Sequence, residues 1–172
     1  MIIFILFSLI FMIGYYFIQT ILHEIGHCIV ALFCKVPITG FSVFPGKMWY
    51  GEGNMNRGDL AWLYVNGILF SVLYGVFLII LIYCLMQNKY GFMMMLSVSF
   101  WIGCQLYEWC RKCIQPIEED DTFYFLLFSD LNGQTVFIVS VIISVVVFIF
   151  LCFMLFRIFK ILYQNAENGK DN

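Results

Sequence analysis

The chain has 172 residues, 63% of them apolar and 12% charged, with a mean hydropathy of +0.93; a soluble domain is about half apolar and about a quarter charged. That excess excludes an ordinary cytosolic globule. A formal charge of −2, from nine Lys and Arg against eleven Asp and Glu, excludes both a basic nucleic-acid surface and an acidic disordered tract. The expected organisation is one all-α membrane domain over residues 1–162 with a polar tail at 163–172, a multi-pass protein of the cell membrane whose first partner is the lipid bilayer.

In chain order, residues 1–34 form an apolar run free of charge until His23 and Glu24. As a helix it would be about 50 Å long, more than the roughly 30 Å hydrocarbon core. No Lys or Arg precedes it and no small-residue cleavage site follows, so it reads as a permanent span and not a signal peptide. Residues 36–58 differ in kind: β-branched and aromatic residues on either side of Pro45-Gly46 predict a hairpin at the membrane boundary. Further spans are expected at 60–86, 92–110 and 135–158, bounded by Asp59, Asn88, Gly91 and Gly133. Four helices with a short membrane-associated hairpin after the first is the predicted fold. Lys35, Lys47, Arg57, Arg111 and Lys112 on one side face Lys89, Arg157, Lys160 and Lys170 on the other, and five against four gives only a weak vote on orientation.

The seven cysteines are scattered mostly through apolar runs, and most of them read as small buried packing residues. Cys110 and Cys113 make a lone C-x-x-C with no second pair to complete a zinc ribbon.

Only two histidines occur, and both lie in His23-Glu24-Ile25-Gly26-His27. On a helix, positions i and i+4 are about 40° apart, so both imidazoles can reach one Zn²⁺ at about 2.0–2.1 Å. Glu24 projects about 100° from His23, placed to take a proton from an attacking water and return it to a leaving amine. By chance, H-E-x-x-H is expected on the order of once in a few hundred chains of this length. A carboxylate at membrane depth is costly unless compensated, which makes coincidence less plausible still. A hydrolytic zinc site needs a third protein ligand, and Asp59, Glu108, Glu118, Glu119, Asp120, Asp121 and Asp130 are all candidates on composition alone.

The segment from Leu22 to Ala31 around His23-Glu24-Ile25-Gly26-His27, followed by the strand-like Ile38-Thr39-Gly40-Phe41-Ser42-Val43, resembles the first motif of the site-2 protease family of intramembrane zinc metalloproteases. The resemblance covers about residues 10–130 and is sharpest at the first motif. It implies a third zinc ligand from a segment like N-L-L-P-x-x-P-x-D-G; Pro116 stands five residues before Asp121, the spacing of that pattern, so Asp121 is the implied ligand. Cys113, Glu119 and Thr122 replace the pattern's asparagine, second proline and glycine. Asp120 is one residue away, and Asp130 in Ser129-Asp130-Leu131-Asn132-Gly133 offers a D-x-x-G look; otherwise Asp120 or Asp121 would cap a helix over Thr122–Phe128, and Asp130 would sit in a solvated loop.

The family also has a central span with small and amide residues, which Asn66 and the stripe Gly67, Ser71, Gly75 resemble. Asn66 is expected to touch substrate or the oxyanion, or else to bond between helices, while packing alone accounts for the glycines. Gln105 and Glu108 are placed either to orient a ligand histidine or to sit among headgroups. The hairpin, residues 37–51, could offer a strand edge to an unwinding substrate helix.

Together these features imply a minimal zinc endopeptidase acting on a membrane-embedded peptide or protein. The alternatives are a lapsed zinc-binding protein that escorts a peptide, and a metallopeptidase with a glutamate ligand such as Glu108.

Overall fold

The computed structural model describes residues 2–43, 46–51 and 53–167. Its elements are helix α1 (Ile2–Phe33), strands β1 (Ile38–Val43) and β2 (Gly46–Tyr50), then helices α2 (Arg57–Leu85), α3 (Lys89–Ile114), α4 (Asp121–Ser129) and α5 (Gly133–Glu167). The strands pair antiparallel, Ile38 opposite Tyr50 and Ser42 opposite Lys47, with an irregularity between Ile38 and Gly40. The expected hairpin after the first helix is present; Pro45, expected in its turn, lies outside the described residues.

Three helices are long and apolar enough to cross a membrane, Leu6–Phe33, Arg57–Leu85 and Gly133–Glu167. The fourth expected span lies in α3, which is 26 residues long but less apolar, because its C-terminal part carries Gln105, Glu108, Arg111 and Lys112. Helix α5 continues through Glu167, past the expected domain end at 162; residues 168–172 of the expected tail lie outside the described residues. All seven cysteines are free, and the expected burial holds for Cys113 alone: Cys84 and Cys152 are exposed on their helices and the other four are half-buried. Cys113 packs with Trp109 and Val136, and Cys110 Sγ lies 3.7 Å from Ser144 Oγ.

Helix starts follow from local chemistry. Asn56 caps α2 by accepting from the Asp59 amide at 2.9 Å, and the Asp59 carboxylate accepts in return from the Asn56 amide, a capping box. Asn88 caps α3 and Asp120 caps α4.

The long helices alternate in direction. His27 meets Leu63 and Tyr15 meets Gly75 across an antiparallel α1–α2 pair, whereas Trp101 donates to the Met12 carbonyl across a parallel α1–α3 pair. The main core, built around Tyr15, Val72, Ile79, Met95, Val98, Ile102, Leu151 and Ile158, fills one end of this bundle. At the other end, the C-terminal half of α1 meets the start of α2, the end of α3, the hairpin and α4.

Candidate metal centre

On α1, His23 and His27 turn their Nε2 atoms toward the same point, 3.1 Å apart. Asp121, at the start of α4, brings its Oδ2 to 2.8 Å from His23 Nε2 and 3.2 Å from His27 Nε2. One ligand atom from each residue lies within 4.8 Å of the others, making this the metal-competent cluster among the described residues.

Three features put Asp121 there. The ring of Tyr64 on α2 stacks with Tyr124 at 4.8 Å and with Phe128 at 6.0 Å, seating α4 on α2. Arg57 grips the far end of α4 through the Leu127 carbonyl at 2.8 Å and the Asp130 carboxylate at 2.7 Å. Lys112 holds the near end through Asp120 at 2.6 Å. The two neighbouring aspartates therefore divide the expected roles: Asp120 caps α4, its carboxylate accepting from the Thr122 amide at 3.0 Å, and Asp121 reaches the histidines. Asp130 sits at the opposite, exposed end of α4, a left-handed cap with φ of 57°. Glu108 pairs with Arg111 at 2.8 Å and lies outside the cluster.

The donors suit a metal ion. His27 Nδ1–H donates to the Leu63 carbonyl at 2.6 Å, which in a neutral ring leaves the Nε2 lone pair facing the cluster. Burial by itself would raise the Asp121 carboxyl, but its hydrogen bonds with His23 and His27 hold it well below the usual carboxylate range, so it is an anion. Those hydrogen bonds require a proton on each Nε2, and a bound cation would take the place of these protons, with the His27 Nε2 lone pair and the Asp121 carboxylate, 3.2 Å apart, both turned to it. The edges of the donor triangle, 2.8–3.2 Å, are a few tenths of an ångström short of the about 3.3 Å between donors of a tetrahedral site with bonds of about 2.05 Å. Two imidazoles and one carboxylate match a first-row divalent ion with an open position.

Two glycines make the approach possible. A Cβ at Gly67 would lie 2.5 Å from His27 Nε2 and 2.8 Å from His23 Cε1, so a residue that reads as part of a packing stripe forms the floor under both imidazoles. A Cβ at Gly26 would collide with the Asn66 carbonyl. Through that close approach Asn66 Nδ2 donates to the Gly26 carbonyl at 2.5 Å, the interhelical bond that was one of its two expected roles. Gln105 accepts from Ser71 Oγ at 3.1 Å.

A cavity of ≈ 780 Å³ opens onto the cluster. Glu24, one residue from His23 and 6% exposed, stands in its wall. Gly46 of β2 passes so close that a Cβ there would sit 3.0 Å from Glu24 Oε1; the hairpin thus lies over this carboxylate, and Lys47, Met48 and Tyr50 line the cavity. Burial and the nearby carboxylates of Glu24 and Asp121 push the Tyr50 phenol up, keeping it protonated as a donor. Gln19, Lys112 and Tyr124 also line the space. None of Tyr50, Gln19, Lys112 or Tyr124 carried a motif in the sequence; only the proximity of Gln19 and Thr20 to His23, one turn on, marked that side of α1. Compared with protein-family models, with curated proteins and with solved structures, the chain matches none.

Proposed function

We propose that the protein is an intramembrane zinc metalloendopeptidase of the site-2 protease kind, hydrolysing a peptide bond in a membrane-spanning or membrane-associated polypeptide. The observation that carries this reading is the convergence of Asp121 on both histidines from 94 or more residues away in the chain, with Glu24 in the wall of the same cavity. A site built only to hold metal has no need of that carboxylate. The embedding in a bilayer is supported by the three long apolar helices, one of which contains the H-E-x-x-H segment.

His23, His27 and Asp121 would hold Zn²⁺, which when bound lowers the pKa of a water and polarises the substrate carbonyl. Glu24 accepts the proton of the attacking water and delivers it to the departing amine nitrogen as the C–N bond breaks. The Leu63 carbonyl keeps His27 in the tautomer that presents Nε2. Tyr50 is placed to donate a hydrogen bond within the cavity. Water reaches the site through the cavity, whose wall carries Gln19, Thr20, Lys47 and Lys112, a polar lining of the kind irregular or reactive groups require at membrane depth. The two strands form a sheet of two among the described residues, and an extended peptide backbone could add to it along the outer edge of β2.

The test is cleavage of apolar helical peptides in detergent micelles by the zinc-loaded protein, read by mass spectrometry. The expected result is discrete cleavage by the wild type and none by Glu24→Gln, which keeps its zinc. Equal cleavage by both proteins, or none by a zinc-loaded wild type across a broad peptide set, would contradict the proposal.

A further inference from the structure

On α4, Asp121 and Phe125 stand one turn apart, as do Gln105 and Trp109 on α3. In each pair the first residue borders the space around the metal cluster and the second lines a separate apolar pocket of ≈ 250 Å³. Trp109 and Ile68 line both this pocket and the polar space beside His23 and Asp121, so the two spaces adjoin. Leu69 of α2 and Val139 of α5 line its outer side, where both are exposed.

We propose that this pocket is a specificity pocket for one large apolar side chain, of leucine or phenylalanine type, next to the scissile bond; the proposal rests on the protease reading. Residues one turn apart on a helix are about 5–6 Å apart, the reach from a peptide carbonyl to the end of a neighbouring side chain. The pocket is lined mostly by apolar side chains, so a substrate side chain that enters it must be apolar. Its wall is preformed: Trp109 Nε1–H donates to Ser140 Oγ at 3.1 Å and the indole packs on Phe125 with centroids 5.6 Å apart, so little ordering is needed on binding.

The zinc-loaded full chain in lipid nanodiscs is titrated with N-acetyl-leucine hydroxamate and N-acetyl-glycine hydroxamate, which share a zinc-chelating group and differ in the side chain. The leucine compound is expected to bind at least about tenfold more tightly. Val139→Trp, filling the pocket from the exposed face of α5, is expected to bring the ratio near one without changing the glycine compound's Kd. Leu69→Trp provides the same filling from α2 should Val139→Trp fail to purify. Equal affinities in the wild type, or a ratio that both fillings leave unchanged, would overturn the pocket. Discrimination seen in detergent but lost in nanodiscs would assign the pocket to a lipid chain and overturn it as well. Absence of both zinc and hydroxamate binding would overturn the protease reading itself, a failure the zinc content separates from that of the pocket.

Discussion

Gly67 and Gly75 lie about two turns apart on one face of α2, and they do different work. A methyl group at Gly75 would meet Ile102 and the Tyr15 hydroxyl, whereas at Gly67 it would meet the imidazoles of His27 and His23. The Gly75 end is a packed apolar core in which small residues let helices approach. At the Gly67 end the same closeness serves polar groups: α2 comes near enough for Leu63 to accept from His27 and for Asn66 to donate to the Gly26 carbonyl. One sequence pattern, a small residue every fourth position, thus supports stability at one end of the bundle and site geometry at the other.

The sharpest way to break this comparison is to remove a central residue from each end. His27→Ala is expected to abolish metal retention, read by elemental analysis, while Ile102→Ala is expected to cost about 2–5 kcal/mol of stability through the cavity it leaves and to keep the metal. Loss of metal in Ile102→Ala protein that remains folded would merge the two ends into one unit. Next in size, Gly67→Ala should weaken metal affinity about 10–100-fold, the usual scale for groups that orient ligands, measured by competition with a chromogenic chelator. Gly75→Ala should leave that affinity alone and lower thermal stability by about 1–3 kcal/mol through overpacking. The smallest effect is expected for Asp130→Asn, whose pair with Arg57 is 70% and 61% exposed on its two side chains: about 0–1 kcal/mol and unchanged metal content.

Much of this division was legible in the residues. The H-E-x-x-H spacing placed both imidazoles on one helix face before any coordinates, because helical periodicity is local. The hairpin after α1 followed from β-branched residues flanking a turn, and α2 and α5 from unbroken apolar runs. The third ligand was different: no local rule separates Asp120, Asp121 and Asp130, and only the aromatic stack of Tyr64 on Tyr124 and the grip of Arg57 and Lys112 decide which carboxylate meets the histidines. The pattern resemblance singled out Asp121 through Pro116, although Cys113, Ile114, Gln115, Glu119 and Thr122 replace the other five specified positions of that pattern. Tyr50 and Gly67 were hidden for the same reason, since their roles arise from what packs across from them. The apolarity of α3 was over-read because its C-terminal part supplies polar groups to the cavity.

The most direct test of the central claim, that His23, His27 and Asp121 form one metal centre, is the zinc content of the purified protein and its aspartate variants. About one zinc per chain in the wild type and in Asp130→Asn, with zinc depleted in Asp121→Asn, is the predicted result. Zinc retained at the wild-type level in Asp121→Asn, or a folded wild type that takes up no zinc when it is supplied, would contradict it.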